Sequence, residues 1–206
     1  LQYAGENDAA TDALREGLSL IEYSEEPRLM VAAYCNLILC LNDGGRPAEA
    51  RALIDEVRPL WQQVGSRSDL LRLRWIEGRV AAGLDRLEEA EAALLEVRSG
   101  FVADENAYDA ALTSLDLAAV YARQGRTAET KHLAAEILPI FRSREIHREA
   151  IAALHFFQSA AEMERLTVAI IGELTGYLEQ AKINPGLRFQ AAQDESEGAA
   201  GAALAC

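Results

Sequence analysis

The feature that most constrains this chain is an internal repeat with a period of 40 residues. At that shift, small residues align with small residues, and large apolar residues align with large apolar residues. The aligned sets are Ala10, Ala50, Ala90 and Thr130; Ile21, Trp61, Phe101 and Phe141; and Leu14, Ile54, Leu94 and Ala134. A fixed period of about 20 to 50 residues is typical of repeat architectures, in which each unit packs only on its neighbours. We therefore expect one continuous all-α stack of antiparallel helix pairs.

Apolar residues at helical spacing, interrupted by Gly, Pro and Asn, predict the individual helices. The predicted ranges are 9–23, 27–41, 48–64, 68–82, 86–101, 108–124, 127–141 and 146–163. Asp8 is the candidate N-cap of the first helix, and Ser68 or Asp69 is the candidate N-cap of the fourth. The connections are only a few residues long, which favours antiparallel neighbours.

The C-terminal part of the chain leaves the repeat register. Residues 167–183 carry an apolar stripe that includes Ile171, Leu174 and Leu178, and they predict a helix that covers the last repeat. Residues 190–206 are mostly Ala, Gly, Glu and Asp and have little to bury. The expected division is helical repeats over 1–164 with a truncated first pair, a capping helix over 165–185, and a disordered tail over 186–206.

Charge and composition restrict the classes of partner. The 206 residues carry a formal net charge of −13, which disfavours direct contact with nucleic acid or with an anionic membrane surface. Half of the residues are apolar, so the chain can bury a sizeable core. The longest apolar run, 29–41, is too short to span a bilayer.

The three cysteines indicate a reducing compartment. Cys35 and Cys40 lie five positions apart on one predicted helix and point in different directions, and Cys206 lies in the predicted tail. An odd, scattered set of this kind predicts a cytoplasmic protein. The sequence begins at Leu1, and we interpret it as a fragment whose N-terminal part, with any targeting signal, is missing.

Several positions resemble the tetratricopeptide repeat superfamily over roughly residues 1–164. They are Leu37, Gly45, Ala48 and Ala50 in the first complete pair, Gly78 and Ala90 in the second, and Leu117, Ala118, Tyr121 and Gly125 in the third. The period of 40 is longer than the common 34, a charged Glu77 precedes Gly78, and the helix-ending proline is absent. The resemblance implies a right-handed α-solenoid. The long repeat of this sequence is similar to the repeat domains of bacterial transcription regulators and adaptors. That similarity implies a cytoplasmic bacterial protein.

In that superfamily the first helix of each pair lines a concave groove. The corresponding face of this sequence predicts a peptide-binding groove made of Asn42, Arg72, Trp75, Arg79, Leu112, Leu115, Arg123, His155 and Ser159. Arginine forks pair with carboxylates and tryptophan anchors apolar groups, so the resemblance implies a protein partner or an acidic peptide. The alternative is that Arg72, Arg79 and Glu77 form a solvated helix face with local pairs and that Trp75 belongs to the core.

Residues that could carry catalysis are few. His132 and Glu136 share a helix face, but no second pair accompanies them as a metal site would require. Cys35 has no basic neighbour in sequence, and the chain contains neither a phosphate-binding glycine loop nor a nucleophile elbow. We expect no enzyme activity, no cofactor and no metal. The leading hypothesis is an interaction scaffold that forms the C-terminal part of a bacterial regulator or adaptor. The alternative is a ligand- or peptide-sensing repeat domain, and homo-oligomerisation stays open.

Overall fold

The computed structural model describes residues 7–20, 27–142, 157, 161, 167–184 and 186–189. Within these ranges the chain forms eight helices and no strand. They are α1 (Asn7–Leu20), α2 (Pro27–Asp43), α3 (Pro47–Val64), α4 (Arg67–Gly83), α5 (Leu87–Ala103), α6 (Ala107–Arg123), α7 (Thr127–Arg142) and α8 (Val168–Ile183). Phe157 and Ala161 are also helical. The all-α prediction is confirmed for this part of the chain.

The helix boundaries repeat every 40 residues. The helices α2, α4 and α6 begin at positions 27, 67 and 107, and α3, α5 and α7 begin at 47, 87 and 127. The turns between them repeat as well: Gly45, Asp85 and Gly125 all have positive φ angles. In each turn the following arginine N–H donates to a carbonyl five residues earlier, and the three bonds are Arg46 to Leu41, Arg86 to Ala81 and Arg126 to Tyr121.

Two predicted N-caps require correction. The N-cap of α4 is Ser66, not Ser68 or Asp69: the Ser66 hydroxyl accepts from the Asp69 N–H, and the Asp69 carboxylate accepts from the Ser66 N–H at 2.8 Å. This reciprocal capping box satisfies two helix-end donors at once, which explains why the helix begins before Ser68. Asp8 lies within the first turn of α1, where its charge favours the positive end of the helix dipole.

Consecutive helices pack on one another through two hydrophobic clusters that meet on α4. We call these the N-terminal cluster, which joins α2, α3 and one side of α4, and the C-terminal cluster, which joins the other side of α4 to α5, α6, α7 and α8. Ala50 and Ala90 are fully buried, as their place in the repeat predicts. Gly78 brings α4 close to α5, because a Cβ at this position would lie 3.0 Å from Leu94 Cγ.

Contacts between α4 and α6 show that these two helices run in the same direction. Near their first turns, Arg72 lies 3.7 Å from Asp109. Near their last turns, Arg123 Nη1 donates to the carbonyl of Ala82 at 2.7 Å. The helix α2 has the same direction, since Asp43 at its end contacts Arg79 in the second half of α4. Three equivalent helices therefore lie side by side with their N-termini at one end.

The helix α8 packs mainly on α6. Ile171, Leu174 and Leu178 are buried in the C-terminal cluster, together with Phe157. Beyond the helix, the Tyr177 hydroxyl donates to the Leu187 carbonyl at 3.1 Å, so residues 186–189 fold back onto α8. The rest of the expected tail, 190–206, lies outside the described residues. No helix in the described ranges is long and apolar enough to cross a membrane.

Candidate functional site

A pocket of about 470 Å³ opens where α2, α4, α6 and α8 meet, and we call it the inner pocket. It is lined by Arg28, Val31, Ala32, Cys35, Asn36, Leu39, Trp61, Asp69, Arg72, Trp75, Ile76, Arg79, Asp109, Leu112, Glu179, Lys182 and Ile183. Its size lies within the range of about 300–1,000 Å³ that is usual for ligand sites. It is the best candidate for a functional site in the described part of the chain.

The middle of the inner pocket is apolar and contains both tryptophans of the protein. Trp61 belongs to the N-terminal cluster and Trp75 to the C-terminal cluster. The Trp75 ring meets Phe101 edge to face, with the ring centroids 5.8 Å apart. Two rigid aromatic walls backed by packed cores give the pocket a preformed shape.

One end of the pocket contains an arginine that three carboxylates share. Arg79 Nη1 donates to Glu179 at 3.0 Å, and Arg79 Nη2 lies 3.3 Å from Asp43. Asp116 is close enough to interact electrostatically with Arg79, and it accepts a hydrogen bond of 2.6 Å from Trp75 Nε1. The attraction of the three carboxylates raises the pKa of Arg79 in spite of its burial, so this side chain is always charged. We call Arg79, Asp43, Asp116 and Glu179 the far-end cluster.

The carboxyl of Asp116 is the group in this cluster whose protonation is most altered. Burial is the main cause that raises its pKa from 3.8 to about 6. Arg79 and the Trp75 hydrogen bond oppose the increase, whereas Glu179 and Asp43 add to it. A cluster with one cation and three carboxylates therefore takes up a proton near pH 6.

The opposite end of the pocket holds more cations than carboxylates, and we call it the near end. Asp109 is almost fully buried and accepts hydrogen bonds from Lys182 and Asn106. Arg72 is half exposed and lies 3.7 Å from Asp109, beyond hydrogen-bond distance. Arg28 is also part of this end, and Asp69 is engaged in the capping box of α4.

The structure brings together four of the residues predicted for the groove. Arg72, Trp75, Arg79 and Leu112 all line the inner pocket. The alternative holds for Trp75, which is largely buried in the C-terminal cluster. It does not hold for Arg79, whose side chain is only 15% exposed and pairs with Asp43 and Glu179 on other helices.

Three other predicted residues do not line the inner pocket. Arg123 bonds to Ala82 and Asp85 at the ends of α4 and α6, and Leu115 lies within the C-terminal cluster. Asn42 donates a hydrogen bond to Asp43. His155 and Ser159 lie outside the described residues.

Sequence reasoning missed seven polar or aromatic lining residues: Arg28, Asn36, Trp61, Asp69, Asp109, Glu179 and Lys182. The repeat register contains a signal for two of them, since Asp69 and Asp109 are 40 positions apart on equivalent helices. Glu179 and Lys182 lie on α8, outside the register, so only the tertiary structure connects them to this site.

The chemistry that this arrangement supports is binding by ion pairing and apolar burial. Burial raises the pKa of the Cys35 thiol to about 11, which keeps it protonated at neutral pH. His132 is exposed and lies 3.3 Å from Glu136, and no cluster of potential metal ligands occurs within the described ranges. Neither a family model, nor a curated protein, nor a solved structure matches this chain.

Proposed function

We propose that this chain is an interaction module of tetratricopeptide type, a right-handed α-solenoid whose inner pocket binds a peptide. The observation that carries the proposal is the inner pocket itself, which is formed by equivalent faces of α2, α4 and α6 and is closed on one side by α8. The surplus of cations at its near end attracts a carboxylate, and Trp75, with apolar residues such as Ala32 and Leu39, offers apolar contact. The module acts without catalysis, as the C-terminal part of a cytoplasmic bacterial regulator or adaptor.

The test uses a pool of long random peptides enriched in Asp and Glu. After equilibrium dialysis against the purified chain, mass spectrometry identifies the peptides that are retained. Binding should shift tryptophan emission, because both tryptophans line the pocket. Retention should weaken as salt screens the charges.

Two matched substitutions locate the binding site. Ala32 is exposed and lines the pocket, so Ala32→Trp fills the pocket without disturbing the core and should abolish retention. Ala52 is exposed on α3 and does not line the pocket, so Ala52→Trp should bind like the wild type. If the pool is not retained, or if Ala32→Trp retains it equally well, the proposal is wrong.

The second candidate function is a sensor domain in which a bound ligand changes the packing of the helices. The observation in its favour is that Glu179 of α8 bonds to Arg79 of α4, while Lys182 of α8 bonds to Asp109 of α6. A ligand beside these two ion pairs would contact α4, α6 and α8 at the same time. Altered amide exchange in α8 on peptide binding would favour the sensor over the scaffold.

A further inference from the structure

The two ends of the inner pocket carry opposite charge. Among the described lining residues, the near end has three cations, Arg28, Arg72 and Lys182, and two carboxylates, Asp69 and Asp109. Both carboxylates already accept hydrogen bonds within the protein. Arg72 is open to a ligand, because it is half exposed and is not hydrogen-bonded to Asp109.

The far-end cluster has the opposite balance, with one guanidinium among three carboxylates. Glu179 is the carboxylate of this cluster that lines the pocket. One of its oxygens accepts from Arg79, and the second can accept a hydrogen bond from a ligand ammonium group. The elevated pKa of Asp116 reflects burial and the same surplus of negative charge.

Three of the four helices around the pocket have dipoles that reinforce this polarity. The three parallel helices α2, α4 and α6 begin at the near end and run toward the far-end cluster. Each contributes partial positive charge at its N-terminus and partial negative charge at its C-terminus. The fourth helix, α8, ends at the near end with Lys182, so its dipole opposes the other three, and the polarity of the pocket rests mainly on its side chains.

The length of the pocket limits the ligand. Arg72 and Arg79 are seven residues apart on α4, or about 10 Å at about 1.5 Å per residue. An extended peptide advances about 3.3–3.6 Å per residue, so about three or four residues connect the two ends. Between them the lining is mostly apolar, with Val31, Ala32, Leu39, Trp75 and Leu112, and it includes the exposed polar side chain of Asn36.

We propose that the inner pocket takes a short apolar peptide with both termini free. Its α-carboxylate meets Arg72, Arg28 and Lys182 at the near end, and its α-ammonium meets Glu179 at the far end. This proposal rests on the proposed function, because it specifies the ligand of the same pocket. It differs from a general affinity for acidic peptides in requiring two opposite charges at a set separation.

The experiment compares four forms of one tetrapeptide pool in which Ala, Val, Leu and Phe vary at every position. The forms are free, N-acetylated, C-amidated and blocked at both ends. Equilibrium dialysis against the intact chain, read by mass spectrometry, should show that blocking either end weakens retention about tenfold or more, since each block removes a charge-assisted hydrogen bond.

Two substitutions assign the ends, each with a matched control on the same helix. Arg72→Gln should remove the preference for the carboxylate over the amide, while Arg67→Gln, which alters an exposed arginine paired with Asp104, should preserve it. Glu179→Gln should remove the preference for the free amine over the acetylated form. Glu173→Gln, at an exposed position of α8, should preserve that preference.

The outcomes separate this inference from the proposed function. Equal retention of the free and the doubly blocked pools overturns recognition of the termini but leaves a peptide-binding pocket standing. Retention of the long acidic peptides without retention of any tetrapeptide likewise overturns recognition of the termini and leaves a peptide-binding pocket. If neither the tetrapeptides nor the long peptides are retained, both proposals fail.

Discussion

Individual charged side chains at the inner pocket are paired across helices rather than along one helix. Arg79 joins α4 to Asp43 of α2 and to Glu179 of α8, and Asp109 of α6 binds Lys182 of α8. Removing one partner of a buried pair leaves the other charge unpaired, which usually costs more than the pair contributes. The ion pairs of these residues therefore form only when the helices around the pocket are packed together.

The stability of the chain should depend on the protonation of Asp116. Its pKa is higher in the folded state, about 6, than its ordinary value of 3.8. The stability that it contributes is thus fully present below about pH 4 and is lost as pH rises through 6. The free energy of unfolding of Asp116→Asn, minus that of the wild type, should increase from pH 4 to pH 7 by at most about 3 kcal/mol. Urea denaturation at each pH measures the two free energies of unfolding. If they change in parallel with pH, the pKa of Asp116 is not raised in the folded protein.

Glycine substitutions should have opposite effects at two sites. Gly125 has a φ of +70°, and a Cβ added there would meet nothing within 4 Å, so Gly125→Ala should cost about 1 kcal/mol through the backbone alone. Gly172 lies inside α8 and has equally open surroundings, so Gly172→Ala should stabilise the chain by about 0.5–1 kcal/mol. Urea unfolding of both variants tests the difference, and changes of the same sign would argue against the turn geometry.

At the scale of elements, α8 is the helix that completes the inner pocket. One face of α8 is buried against α6, and Glu179, Lys182 and Ile183 reach the pocket. Its amphipathic pattern predicted a helix that covers the last repeat; in the structure Ile171, Leu174 and Leu178 are buried and the helix packs mainly on α6. Whether α8 lines the pocket depends on where it packs against the other helices. The amphipathic pattern alone did not predict that position.

The buried face of α8 should carry most of its contribution to stability. Leu178 is fully buried, so Leu178→Ala should lower the free energy of unfolding by about 2–5 kcal/mol. Ile183 is 68% exposed, and Ile183→Ala should change stability by about 0.5 kcal/mol or less. Thermal denaturation compares the two variants. Equal losses would mean that α8 does not pack as described.

At the scale of the whole molecule, the two hydrophobic clusters of the described residues both include side chains of α4. Helices α2 and α3 contribute to the N-terminal cluster, and α5 to α8 contribute to the C-terminal cluster. In a stack of repeats each unit is stabilised mainly by its neighbours, so cooperativity falls with distance along the chain. We expect the helices of one cluster to unfold locally while the helices of the other cluster stay folded.

Hydrogen exchange after a single core truncation tests this expectation. Ile54 is fully buried in the N-terminal cluster, and Ile54→Ala should cost about 2–5 kcal/mol. Amide exchange should accelerate in α2 and α3 and change little in α6 and α8. Leu115→Ala, in the C-terminal cluster, should give the reverse pattern. Uniform acceleration by both variants would show that the chain unfolds as one unit.

Much of the helical architecture could be predicted from the sequence because the signals are local. Helical spacing of apolar residues, turn residues such as Gly45 and Gly125, and the recurrence of Ala50 and Ala90 each depend on neighbours in the chain. The error at the start of α4 was also local: Ser66 and Asp69 form a capping box, and the prediction placed the N-cap at Ser68 or Asp69 instead of Ser66.

The composition and charge of the inner pocket depend on the tertiary structure. The family resemblance implied a groove that contains Arg72, Trp75 and Arg79 of α4 and Leu112 of α6, and the structure brings all four to the inner pocket. Periodicity does not show that α8, from outside the repeat, supplies Glu179 and Lys182, or that Arg79 is neutralised by carboxylates 36 and 100 residues away. Helices form from short-range hydrogen bonds and spacing, whereas the charge of a pocket depends on side chains that only packing brings together.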